Sequence, residues 1–258
     1  MLNRFLAFCV FLLIINQEGF CQKQTTHIQQ VWMGYINHAR FSDKWGTWAE
    51  VQVRTKEDFF QNLSQLLFRV GLSYYASDRV KLTAGYAFFN FYPADNHPGV
   101  SQPEHRPWQQ VLWNTNYPRL RFVQYFRLEE RFRRKIKSPD ELGEGYNFNW
   151  RTRYNVSMMV PLARQAFAKN TLSFVLNDEV MINMGKEIVY NYFDQNRFFA
   201  GFAYHVTATD NLQFGYLNLF QQLAAGNRYR MIHIPRVMYY HNLDLRKKSK
   251  TEPYKKLQ

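Results

Sequence analysis

Residues 125–134 read YFRLEERFRR and set Arg127, Glu129, Arg131 and Arg133 two positions apart. Guanidinium and carboxylate groups at that spacing can do two things. They can satisfy one another through charge-assisted hydrogen bonds, or, where arginine is in excess, they can hold an anion. A metal needs three or four convergent ligands. The seven histidines, His27, His38, His97, His105, His205, His233 and His241, show no close ligand spacing and no HExxH pattern. The two cysteines, Cys9 and Cys21, fall in an N-terminal apolar stretch and offer no thiolate cluster. No metal and no cofactor are expected.

What positions those charges is a period of two. Leu120, Phe122, Phe126, Leu128 and Phe132 share one parity, with Gln124 and Glu130 interrupting; Arg121, Tyr125, Arg127, Glu129, Arg131 and Arg133 share the other. A strand sends alternate side chains to opposite faces, so this segment has one greasy face and one charged face. Four further segments repeat the design. Trp150, Tyr154 and Val156 oppose Arg151, Arg153 and Asn155; Leu66, Phe68 and Val70 oppose Arg69. Phe174 and Val180 oppose Asn177 and Glu179, and Phe198 and Phe202 oppose Arg197 and His205. In residues 44–54, KWGTWAEVQVR, the apolar row faces away from Glu50, Gln52 and Arg54.

The compartment follows from the start of the chain. Arg4 precedes an apolar run from Phe5 to Ile15, which predicts a secretory signal peptide over residues 1–21, cleaved after Cys21. The run is too short for a membrane-spanning helix. Lipidation of Cys21 is disfavoured by the bulky Phe20 before it. Taking 21 residues from 258 leaves 237, enough for one large domain. The net charge of +13 would ordinarily suggest nucleic acid, but an exported chain meets anionic lipid, lipopolysaccharide or an anionic solute instead. A basic tail, residues 247–258, carries part of that excess.

Aromatic content of 18% beside a mean hydropathy of −0.47, with alternating segments throughout residues 22–246, is the profile of an antiparallel transmembrane β-barrel. Only a closed sheet satisfies every backbone group in hydrocarbon. Closure gives an apolar outside and an interior free to hold charge. The expected interior residues are Glu50, Arg54, Arg69, Arg127, Glu129, Arg131, Arg151, Arg153, Asn155, Asn177, Glu179, Arg197 and His205; Leu66, Phe68, Leu120, Phe122, Phe126, Trp150, Tyr154, Phe174, Phe198 and Phe202 are expected to face lipid. Reversed parity would set several charges against acyl chains at about 2–4 kcal/mol each near the midplane.

Eleven strand-like segments are evident, and a single-chain bacterial barrel is expected to have an even number, so twelve strands are expected and ten are the alternative. The missing strand would come from residues 186–193, KEIVYNYF, or from an earlier start within QKQTTHIQQ. Connections alternate between short ones, at 76–79 and 207–211, and longer ones, at 93–106, 137–145 and 221–230.

Ser73, Ser157, Ser173 and His205 all lie on the charged parity, and no Ser–His pair falls on the greasy face where a barrel phospholipase keeps its nucleophile and base. No enzymatic activity is expected. The order of KWGTWAEVQVR, EHRPWQQV, FRLEERFR, FDQNRFFAGFAY and LQFGYLN resembles the domain of unknown function 2490 family of Gram-negative, especially Bacteroidota-type, bacteria. The resemblance implies an outer-membrane location and a small antiparallel barrel, and no activity. The expected object is a monomeric barrel inserted by the barrel-assembly machinery, structural or accessory in role. The alternatives are a narrow anion-selective pore and an exported soluble calycin-like ligand-binding barrel. No nucleic-acid partner is expected.

Overall fold

The computed structural model describes residues 23–56, 59–94 and 97–246; the leader and the basic tail lie outside the described residues. Twelve strands follow one another: β1 Gln24–Gln29, β2 Trp32–Arg40, β3 Trp45–Lys56, β4 Asn62–Tyr75, β5 Val80–Phe91, β6 Gln102–Tyr117, β7 Leu120–Ser138, β8 Glu141–Pro161, β9 Leu172–Met184, β10 Phe193–His205, β11 Asn211–Gln222 and β12 Arg228–Asp244. From β2 to β12 each strand pairs antiparallel with the next, and β12 returns to pair with β2. The sheet closes as an all-β barrel.

The closure explains the odd count. Eleven strands, β2 to β12, form the wall, and β1 lies outside that ring, paired to β12 alone. With eleven alternating strands the first and last run the same way, so the closing pair must be parallel, and it is, from Arg236↔Trp32 to Asp244↔Arg40. β1 keeps the same offset against β12, from Gln24↔Arg228 to Gln29↔His233. β1 and β2 are thus one line of chain interrupted at Gln30 and Val31. The expectation of an even number fails for this reason: the earlier start in QKQTTHIQQ is a strand, but it extends an existing stave instead of adding one. Residues 186–193 contribute no separate strand; Phe193 only opens β10.

Because the closing pair is parallel, β1 begins at one end of the barrel and β12 finishes at the other. The end where β12 finishes carries the turns after β2, β4, β6 and β10, all five residues or fewer, and the ten-residue connection 162–171. The opposite end carries connections of five, ten, two, eight and five residues, and two stretches there are more ordered than the sequence suggests. Residues 137–145 are no loop: β7 and β8 run on as a two-stranded ribbon through Arg134↔Tyr146 and Ile136↔Leu142 to Ser138↔Glu141, past their outer neighbours. Residues 102–106 belong to β6.

Burial alternates with the pleat. On β3, Gly46, Trp48, Glu50, Gln52 and Arg54 are buried, while Trp45, Thr47, Ala49 and Val51 are exposed. The interior is not purely charged. Trp32, Val175, Phe199, Leu217, Leu219, Ile232, Ile234 and Met238 form one inner apolar cluster, and Ile36, Trp48, Leu67, Phe89 and Trp108 a second. Each cluster uses a pair of facing glycines as a recess. Gly71 and Gly85 are cross-strand partners, and a Cβ on either would lie 3.0 Å from the Trp108 indole. Gly201 and Gly215 repeat the device for Phe199, at 2.7 and 3.1 Å. Glycine here is what lets a large ring lie against the inner wall.

Candidate functional site

The charged layer is built on four neighbouring strands, β6 to β9, with β3, β4 and β10 reaching across. Its centre is Glu129 on β7, 1% exposed. Arg151, its direct cross-strand partner, binds it at 2.5 Å, and Arg153 binds its other oxygen at 2.8 Å. Arg69 and Arg106 approach to 3.7 Å and Arg127 to 3.9 Å. Five guanidiniums therefore surround one carboxylate.

Around this centre lie four more carboxylates. Both oxygens of Glu179 accept from Arg153 Nη2, at 2.6 and 2.8 Å, and Glu179 also accepts the Tyr125 hydroxyl. Glu50 accepts Arg69 at 2.6 Å, the Trp48 indole N–H at 3.1 Å and the Gln52 amide at 2.5 Å. Asp194 accepts Arg151 at 2.9 Å. Glu104, with no exposed surface, holds Arg106, Arg131 at 2.8 Å and Arg133 at 2.6 Å. Each carboxylate accepts several charge-assisted bonds, as burial of an ion requires.

The expected interior residues are placed as follows. Glu50, Arg54, Arg69, Arg127, Glu129, Arg131, Arg151, Arg153, Asn155, Glu179 and His205 are buried, and Asn177 and Arg197 are half-buried. Of the residues expected to face lipid, Phe68, Phe126, Tyr154, Phe198 and Phe202 are exposed, while Leu66, Leu120, Phe122, Trp150 and Phe174 are half-buried. All the expected charged residues join the lattice except Arg54, which has a different set of partners. Asn155 sits between Tyr125 and Glu179 as the cross-strand partner of both, Asn177 donates to the Val156 carbonyl, and His205 sits at the short-turn end.

Sequence reading missed Glu104, Arg106 and Asp194. Glu104 and Arg106 were hidden in a stretch that looks like a loop because of Pro103 and Pro107. Those prolines fall on the opposite parity, and Pro107 sits where the β6–β7 ladder skips. The signal available was the row Gln102, Glu104, Arg106, Trp108, Gln110, which continues the pleat unbroken. Also unforeseen is a Ser173–His205 hydrogen bond of 2.8 Å, buried at the short-turn end. Phe167 from the ten-residue connection packs on His205 and beneath the Arg121 guanidinium, 3.8 Å from its ring. Phe167 adopts φ 54°, a left-handed conformation a bulky residue seldom takes.

Not all the arginines hydrogen-bond to carboxylates. Arg127 donates twice to the Gln110 carbonyl, at 2.9 and 2.6 Å, and lies 4.7 Å over Trp108. Arg54 is held by Gln52 and Gln65 and stacks at 3.7 Å on Trp32. Arg236 is held by Gln213 at 3.3 Å and stacks at 3.6 Å on Phe199. Amide oxygens and ring faces stabilise a guanidinium without neutralising it.

A family described as protein of unknown function, DUF2490, has a model that matches residues 29–230. The chain belongs to the DUF2490 family. No curated protein matches it, and no solved structure does. The match ends in the first turns of β12. It takes in every carboxylate of the DUF2490 barrel's lattice, but not Arg236.

Proposed function

We propose that this DUF2490 barrel is an integral outer-membrane protein of a Gram-negative envelope, a structural or accessory barrel whose interior is packed by its Arg/Glu lattice, and not an enzyme. One observation supports the reading: large apolar side chains are exposed around the wall, while Arg and Glu side chains are buried in salt bridges beside the two inner apolar clusters. Val51, Phe68, Val70, Leu72, Leu82, Val111, Phe126, Phe198, Phe202, Phe214 and Val237 are exposed around the wall, while Glu104, Glu129 and Arg127 are buried. In water that arrangement leaves a continuous apolar surface far larger than a soluble monomer keeps. A soluble calycin-like barrel needs the reverse, with its apolar rows around an internal ligand.

Polar groups on the outer face pair with one another, as a low-dielectric solvent demands. Gln109 donates to Glu130, Tyr154 to Gln124 at 2.7 Å, and Asn196 to Asp178 at 2.7 Å. Tyr35 and Tyr216 each hydrogen-bond an outward histidine, His241 and His233. A narrow anion-selective pore is the weaker reading, because Trp108, Phe199 and Ile234 have no exposed surface and Phe167 tucks under the short-turn end. On this reading the partners are outer-membrane lipid and lipopolysaccharide, for which the +13 charge is suited, and the assembly machinery during insertion.

Fractionation tests the proposal. The expected result is recovery in membranes that resist carbonate and urea washing and release the protein only to detergent, with gel mobility that changes on boiling. Recovery in the wash-soluble periplasm would overturn it.

A further inference from the structure

The interior holds more positive charge than its carboxylates balance, and the excess is concentrated at the closing seam. Arg236 on β12, Trp32 on β2 and Arg54 on β3 are successive cross-strand partners in one row. Arg197 on β10 reaches the same place, its guanidinium 5.0 Å from the Trp32 ring whose centroid Arg54 approaches to 3.7 Å. Among the described residues, neither Arg54 nor Arg236 has a carboxylate within 4.0 Å, and Arg197 has only Glu179, at 3.6 Å. Instead each is held by glutamine: Gln52 and Gln65 for Arg54, Gln195 at 2.8 Å for Arg197, Gln213 for Arg236. Four glutamines and two aromatic faces fix three cations, and only Arg197 among them also meets a carboxylate.

Two further observations point to what is missing. Among the described residues the buried Arg236 Nε–H meets no acceptor, and a guanidinium offers donors only. Arg236 and Arg197 point inward, Arg236 against fully buried Phe199, yet both keep part of their surface open. Three fixed cations and an orphaned donor together ask for an acceptor carrying negative charge. Water would satisfy the donor but not the charge, and unbalanced cations buried in low dielectric are costly.

We propose that Arg54, Arg197 and Arg236 form a binding site for a small oxyanion, of the phosphate, sulfate or carboxylate type, held inside the barrel at the β12–β2 seam. Trp32 and Phe199 are positioning residues that fix the planes of the guanidiniums. The anion bridges β3, β10 and β12, so its binding stabilises the closed barrel wherever the barrel resides. Failure of the fractionation test above would leave this site untouched, and the reverse also holds.

The test uses the full chain, folded in detergent micelles, with thermal unfolding followed in sodium phosphate against sodium chloride at equal ionic strength. The expected result is a saturable rise in midpoint with phosphate for the natural protein and for Arg246→Gln. Arg236→Gln and Arg54→Gln should require at least roughly tenfold more phosphate for the same rise, the loss of one charge-assisted bond. No phosphate-specific rise, or an equal rise in the Arg236→Gln and Arg54→Gln proteins, would overturn the proposal. Should those variants fail to fold, crystals of the natural protein soaked in selenate decide. Anomalous density within hydrogen-bond distance of Arg54 and Arg236 supports the site, and its absence there refutes it.

Discussion

Replacing Glu129 with glutamine removes one negative charge from the centre of the lattice while keeping its shape. Glu129 is met by Arg151 at 2.5 Å and Arg153 at 2.8 Å, with Arg69, Arg106 and Arg127 between 3.7 and 3.9 Å. A pair of unit charges at 4 Å interacts by about 4 kcal/mol at an effective dielectric of 20, so five such attractions vanish while the repulsions among the arginines remain. The amide also turns N–H donors toward guanidinium donors, which offer no acceptor. Much of the gross Coulomb loss is offset by desolvation that the neutral side chain no longer costs, and breaking one partner of a buried ion pair typically destabilises by about 3–5 kcal/mol. The expected loss for Glu129→Gln is in that range. The assay is urea unfolding of the detergent-folded barrel, read by tryptophan fluorescence. Glu141→Gln, at the exposed pair of Lys137 and Glu141, 3.0 Å apart on the ribbon, serves as the reference and should cost less than about 1 kcal/mol. If Glu129→Gln unfolds within about 1 kcal/mol of the natural protein, the lattice does not hold the barrel together, and the interior charges need another explanation.

Gly85→Ala drives a Cβ into the Val70 carbonyl oxygen and to 3.0 Å from Trp108, so it should destabilise by about 1–3 kcal/mol in the same unfolding assay. Deleting residues 22–29 removes β1, which pairs on one edge only, and the shortened chain should still show boiling-dependent gel mobility; deletion through Arg40 takes the closing strand and should abolish it. Shortening the 162–171 connection to remove Phe167 should raise conductance in planar bilayers above that of the intact protein, and equal conductance would mean the short-turn end is sealed without it. Of a tag placed after Lys23 and another after Arg246, only one should be cut by protease added to intact cells, and both once the outer membrane is permeabilised, because the parallel closure sets the two ends of the wall chain apart.

Much of this architecture was legible in the sequence because the pleat is a local property. Arg127, Glu129 and Arg131 share a face with one another whatever else the chain does, and Phe126 and Phe198 fall on the opposite face for the same reason. Where a local signal was broken, legibility failed. Two prolines disguised the strand that carries Glu104, and the charged tip of the β7–β8 ribbon passed for a loop although it pairs to Ser138↔Glu141.

The sequence by itself settled that the chain is a succession of two-faced strands, and, where the alternation is unbroken as around Glu129, which side carries the charges, since a side-chain period of two needs no partner to exist. The tertiary structure alone decided how many strands complete the ring, that the ring closes on a parallel pair, and which arginine meets a carboxylate and which is left on a glutamine and a ring face. Those outcomes depend on register between strands as much as 204 positions apart, from Trp32 to Arg236. No local pattern encodes such a register; it is fixed only when the whole sheet closes and its inner side chains must fit one another.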